Sequence, residues 1–238
     1  MQSTRSKTSG IASSVKKGVK QALPIVLGYA PIGAAYGLLA QQAGLGLWHT
    51  LGLSLFVYAG ASQFMAVSMI QSGIETAVII GTTFIVNFRH VLMSASITPY
   101  LGLWKTWQRV SLGGMLTDET FALHSLNFRR SDTDPISAIS LNATAYVTWA
   151  TAGMAGYNLG AVIINSKAWG LDFALPAMFV GLLVSACGNK AAVVAAVAGG
   201  AASVGLLLLN AGNWAAFLGA LAGATAGLFF SIKEDASE

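Results

Sequence analysis

An apolar run long enough to cross a bilayer carries a charge at its centre. Ala77–Val86 leads into Asn87–Phe88–Arg89–His90, and Val91–Ile97 follows. In a membrane-spanning helix Arg89 would lie near the midplane, where a charged side chain costs at least about 2.5–3.5 kcal/mol. Packing alone does not offset that cost. Arg89 therefore needs a substrate, a carboxylate, or each in turn.

Composition agrees. Of 238 residues, 9% are charged and 55% hydrophobic, with a mean hydropathy of +0.65; soluble domains carry roughly 25% charged residues. The apolar runs are long and continuous, unlike the short alternating segments of a transmembrane barrel. The expected fold class is an all-α polytopic membrane protein with about eight transmembrane helices, some of them broken. The single cysteine, Cys187, excludes an intrachain disulfide and a cysteine-based zinc cluster. The net charge of +4 does not indicate nucleic acid, because the basic residues sit mostly at helix ends, where they set orientation.

Taken in order, residues 1–21 read as a basic cytoplasmic tail whose first dozen residues are disordered. Lys16, Lys17 and Lys20 lie near anionic lipid. The apolar run behind the tail is too long, and followed by too many others, to be a signal peptide. The first span, about 22–42, holds Gly28, Pro31, Gly33 and Gly37; Pro31 predicts a hinge or break, with Gly28 and Gly33 beside it. The second, about 50–70, carries Tyr58 and the deep amide Gln63. The third, about 75–101, contains Asn87–His90. The fourth, about 110–127, is read as one helix with Thr117–Asp118–Glu119–Thr120 at its centre. A re-entrant fourth segment would reduce the count to seven.

Arg129, Arg130, Asp132, Asp134 and Pro135 form the longest charged loop and divide the transmembrane domain, 22–232, into halves of about 22–128 and 136–232. A fifth span, about 136–164, is expected to tilt or break near Gly153 and Gly156. Spans at about 173–186, 191–209 and 214–232 follow, then a short tail, 233–238. Gly219, Gly223 and Gly227 repeat every four residues, a groove for another helix. Gly28–Gly37 is faintly similar to Thr151–Gly160, a weak internal repeat of the kind common in transporters. Eight spans place both termini inside and most of the Lys and Arg on the cytoplasmic side.

Four motifs then combine: Leu23–Pro24 with Gly28–Gly37, Gly60–Ala61–Ser62–Gln63–Phe64, Asn87–Phe88–Arg89–His90, and Leu116–Thr117–Asp118–Glu119–Thr120–Phe121–Ala122. Their order and spacing over about residues 20–230 resemble the AzlC family, the large subunits of bacterial branched-chain amino acid exporters. The resemblance implies a multi-pass protein of the cell inner membrane and a small AzlD-like membrane subunit as partner. It also implies proton-driven export of leucine, isoleucine, valine and often methionine.

An amino acid brings a carboxylate, an ammonium and a side chain. Arg89 suits the carboxylate, since guanidinium pairs with it in a planar fork. Asp118 or Glu119 suits the ammonium or the exchanging proton, and His90 is a further proton-coupling candidate. Asn87, Gln63 and Thr117 offer neutral hydrogen bonds to substrate, while Tyr29 and Tyr58 line an apolar pocket. The bland alternative is a structural ion pair between Arg89 and Asp118. His49 and His124 read as interface residues. No metal, cofactor or phosphate-loop motif occurs in the sequence. An intramembrane hydrolase built on Ser62 and His90, or a channel, competes less well.

Overall fold

The computed structural model describes residues 2–160, 180, 183–184, 187–209 and 214–235. Among these every regular element is helical, as an all-α polytopic membrane protein requires. Three of the described helices are long and apolar enough to cross a bilayer: residues 10–42 of the first, Thr76–Leu101, and Lys190–Leu208. The chain forms two compact units, Met1–Leu175 and Pro176–Glu238.

In the first unit, α1 (Gln2–Gln42) runs through Pro24 and Pro31 without interruption. The break expected at Pro31 is absent, and the tail expected to be disordered continues the same helix. Packing explains both departures. A Cβ on Gly18 would lie 2.1 Å from the Ser137 carbonyl oxygen, and Lys17 Nζ meets Asp132 Oδ2 at 2.6 Å. The basic segment is therefore held against the start of α7 (Pro135–Gly160).

Farther along, α1 and α7 approach almost backbone to backbone. A Cβ on Gly37 would fall 1.8 Å from Gly153 O, and one on Gly156 would fall 1.8 Å from Ala34 O. Such small-residue faces let membrane helices gain dispersion contacts that no hydrophobic effect supplies in lipid. Gly153 and Gly156 do not break α7, which continues to Gly160. The two stretches with similar sequences, 28–37 and 151–160, are the two sides of this contact.

Breaks occur elsewhere. The expected second span is α2 (Leu47–Gly52), a π-helical turn (Leu53–Val57), and α3 (Gly60–Gln71). Between them Tyr58 adopts the left-handed conformation (φ 40°, ψ 49°), and Ala59 is extended (φ −140°). A tyrosine at positive φ is strained, so its surroundings must hold it there. Its ring packs edge-on against Tyr146 of α7 at 4.6 Å. Beside it Gly60 is pressed to the Trp149 ring, where a Cβ would approach to 2.9 Å.

The expected fourth span is also two helices. α4 (Thr76–Ile97), with a 3₁₀ turn at Thr98–Leu101, is followed by α5 (Thr106–Gly114) and α6 (Asp118–Arg129). Thr117 caps α6: its hydroxyl accepts from Thr120 N, and the Thr120 hydroxyl accepts from Thr117 N at 2.9 Å. This reciprocal cap satisfies donors that a helix start leaves open, and it sets the register of the two acids that follow. On α4, Phe84, Phe88, Val91 and Leu92 are exposed on one side, the side suited to lipid. Thr83, Asn87, His90 and Ser94 are half-buried on the other.

The second unit contains α8 (Lys190–Leu208), capped by Asn189 Oδ1 accepting from Ala192 N at 2.8 Å, and α9 (Trp214–Asp235). The groove of Gly219, Gly223 and Gly227 is filled by Ala191, Ala195 and Gly199 of α8. The helix expected in this groove is thus α8, and the stripe is an internal packing face. The expected span at 173–186 lies almost wholly outside the described residues.

Candidate functional site

The break before α6 places Asp118 and Glu119 in a helical first turn, where unpaired N–H groups and the helix dipole favour negative charge. The two acids point to different partners. Asp118 Oδ2 meets Arg89 Nη2 of α4 at 3.0 Å, with the side chains 29% and 31% exposed. Glu119 Oε2 meets the Tyr29 hydroxyl of α1 at 2.6 Å. Tyr29 Oη also lies 2.8 Å from Thr117 Oγ1. One phenolic proton cannot serve both neighbours, and the carboxylate is the nearer and stronger acceptor. Tyr29 thus donates to Glu119 and accepts from the Thr117 hydroxyl. Three helices, α1, α4 and α6, converge on these two carboxylates.

Around them runs a polar frame. Trp149 Nε1 of α7 donates to Gln63 Oε1 at 2.8 Å, and Gln63 Nε2 donates to Ser54 Oγ at 3.2 Å. Gln63 is fully buried with both ends of its amide occupied, so it ties α3 to α7 and to the π-helical turn. Trp149 in turn packs edge-on to Tyr29 at 5.0 Å and is stacked with Tyr36 at 6.1 Å. Asn87 accepts from the Ser62 hydroxyl through Oδ1. His90 Nδ1 lies 3.0 Å from the Leu116 carbonyl. Because a carbonyl only accepts, Nδ1 carries a proton there.

Several buried polar atoms have no hydrogen-bond partner: Tyr58 Oη, Thr83 Oγ1, Arg89 Nε and His90 Nε2. Unsatisfied groups of this kind cost about 1–3 kcal/mol each, and each calls for an explanation such as a bound group. Ser62 and His90 are engaged with Asn87 and Leu116, so the pairing a hydrolase would need is not made between them.

The structure thus brings Arg89, Asp118, Glu119, Thr117 and Tyr29 into one connected group, with His90 attached through the α5–α6 break. Gln63 and Asn87 hold the surrounding helices. Of the hinge candidates, Gly33 packs on α7, where a Cβ would lie 3.0 Å from Ala152 Cβ, while Gly28 faces open space. His124 is not an interface residue as expected. It is 1% exposed, donates from Nε2 to Asn142 Oδ1 at 2.7 Å, and stacks on Phe128. Asn142 Nδ2 passes the chain on to Leu112 O at 3.1 Å, fixing the end of α5 to α7.

Trp149, Ser54 and Tyr146 were not singled out as site residues in the sequence. One signal existed: an indole N–H in the middle of a membrane helix demands an acceptor, and Gln63 is a deep amide on the second span. A cavity of about 630 Å³ beside the α1–α2 turn, lined by Leu45, Trp48, His49 and Ile70 among others, shares no residue with this group.

Comparison with known proteins follows the same residues. The family model described as AzlC protein matches residues 24–163, a range that holds every side chain of the cluster. A Helicobacter pylori uncharacterized membrane protein is 31% identical over 71% of this chain and 75% of its own length. The Escherichia coli inner membrane protein YgaZ is 28% identical over 79% of the chain and 82% of its own. A Bacillus subtilis branched-chain amino acid transport protein, AzlC, is 23% identical over 75% and 70%. No solved structure matches.

Proposed function

Since the chain belongs to the AzlC family, we propose that it is the large subunit of a secondary exporter of branched-chain amino acids in the inner membrane. The supporting observation is the Arg89–Asp118 pair at 3.0 Å, set at a helix break, with a second carboxylate one residue on. A cation and an acid complement the two charges of a zwitterion, and the second acid is left for the exchanging proton. Arg89 binds the cargo carboxylate. Asp118, Glu119 and His90 carry the proton that exchanges for it, and Asn87, Gln63, Thr117, Tyr29 and Tyr58 shape the surroundings. The N-terminus is cytoplasmic, and a small AzlD-like subunit completes the exporter.

Cells that produce this chain with such a partner are expected to tolerate leucine-containing peptides and toxic leucine analogues, and to hold less intracellular leucine. Unchanged efflux with both chains inserted in the membrane refutes the cargo assignment. In sealed vesicles the cargo should cross chemically unaltered and in step with ΔpH. Chemical conversion of the cargo would point to an enzyme instead.

A further inference from the structure

We infer that Glu119, Tyr29 and Tyr58 form a binding site for a primary ammonium group, separate from the Arg89–Asp118 pair. The inference rests on the transport reading above for its natural ligand, and on the geometry for its chemistry.

Of the two adjacent acids, Asp118 is already neutralised by Arg89 at 3.0 Å. Glu119 has no basic partner among the described residues. It receives one neutral hydrogen bond, from Tyr29 to Oε2, and none of the described side chains donates to Oε1. A carboxylate offers about four acceptor positions, so most of its capacity is open.

Tyr58 supplies the second observation. The residue is 4% exposed, and its hydroxyl makes no hydrogen bond of good geometry. The Tyr29 hydroxyl stands at the margin of hydrogen-bonding reach of it, and the Glu119 charge acts on it electrostatically. The phenol is held there at the expense of a left-handed backbone, φ 40°, and by the Tyr146 ring at 4.6 Å. Tyr29 is held likewise by Trp149 at 5.0 Å. A buried hydroxyl on a strained residue, beside an incompletely used carboxylate, is a vacancy for a hydrogen-bond donor carrying positive charge.

An ammonium has three donors and no acceptor. Glu119 Oε1, Tyr58 Oη and the remaining lone pair of Tyr29 Oη are three acceptors on three elements: α6, the α2–α3 break and α1. A guanidinium is planar and larger, and a lone alkali cation wants more oxygens than these. The site is complete without opening the Arg89–Asp118 pair.

The test uses the full chain in lipid nanodiscs and three probes: leucine, isoamylamine, which lacks the carboxylate, and isocaproate, which lacks the amine. Glu119→Gln is expected to weaken isoamylamine binding by at least about tenfold, as loss of a charge-assisted bond does. Tyr58→Phe is expected to weaken it by about three- to tenfold. Neither change should weaken isocaproate binding. Tyr58→Phe removes a hydroxyl that makes no hydrogen bond of good geometry in the protein, so an unchanged melting temperature separates lost binding from misfolding. Isoamylamine affinity that is undetectable in the wild type, or unchanged in both variants, overturns the ammonium site even where leucine binds. Glu119-dependent binding of isoamylamine without leucine binding upholds the site and refutes leucine as the cargo.

Discussion

Removing one member of the Arg89–Asp118 pair should cost more stability than removing both. At 3.0 Å and an effective dielectric constant near 20, the attraction between unit charges is about 5 kcal/mol. Breaking a fully buried pair costs about 3–5 kcal/mol, while a fully exposed pair is worth about 0–1 kcal/mol. With side chains roughly one third exposed, Asp118→Asn should fall between these limits, at about 2–3 kcal/mol. Most of that is the stranded Arg89 charge, whose Nε already lacks a partner. The double variant Arg89→Gln/Asp118→Asn strands nothing and should regain most of the loss. Thermal stability by fluorescence-detected size exclusion, measured beside leucine efflux at equal membrane abundance, separates the roles. The expected pattern is single variants unstable, the double variant near wild type in stability, and all of them inactive. A double variant less stable than Asp118→Asn refutes the electrostatic reasoning, and one that transports normally removes Arg89 from the mechanism.

Other perturbations follow from the packing. Gly37→Ala drives a methyl to within 1.8 Å of Gly153 O, so overpacking should cost about 1–3 kcal/mol; Gly28→Ala, with open space around it, should not lower the melting temperature. Thr117→Ala removes the α6 cap and should destabilise by about 0.5–2 kcal/mol, with Thr117→Ser restoring most of it in the same melting assay. Gln63→Leu strands the buried Trp149 indole N–H and should cost about 1–3 kcal/mol, readable also as altered tryptophan fluorescence. Lys17→Ala deletes an exposed ion pair and should leave stability within about 1 kcal/mol.

The membrane class and an acidic partner for Arg89 were legible because both follow from cost: an intramembrane cation must find an anion. Sequence left Asp118 and Glu119 equally eligible, and the geometry of α6 selects Asp118. The positions of the helix breaks are not legible in hydropathy, although one is signalled. Thr117–Asp118–Glu119–Thr120 after Gly113–Gly114 is a helix start, with a cap, two first-turn acids and glycines before it. Hydropathy over a span-length window averages that signal away. The Tyr58 break had no comparable local cue, because a tyrosine at positive φ is decided by Tyr146 and by the Trp149–Gly60 contact, which come from a helix far along the chain. Pro31 shows the converse. A strong local breaker was overruled by the close fit of α1 to α7. The Gly219–Gly227 stripe was recognised as a groove, but periodicity does not say which helix fills it.

That fit has a consequence for biogenesis. Gly37 and Gly153 touch through their backbones, yet more than a hundred residues separate them in the chain. At a synthesis rate of about 5–20 residues per second, α1 waits roughly 5–25 seconds in the membrane before α7 emerges. During that interval the glycine face that α7 covers is without its partner. α1 is thus made well before the helix that locks it. Conditions that slow translation between α1 and α7 should expose it to proteolysis before those that slow the remainder.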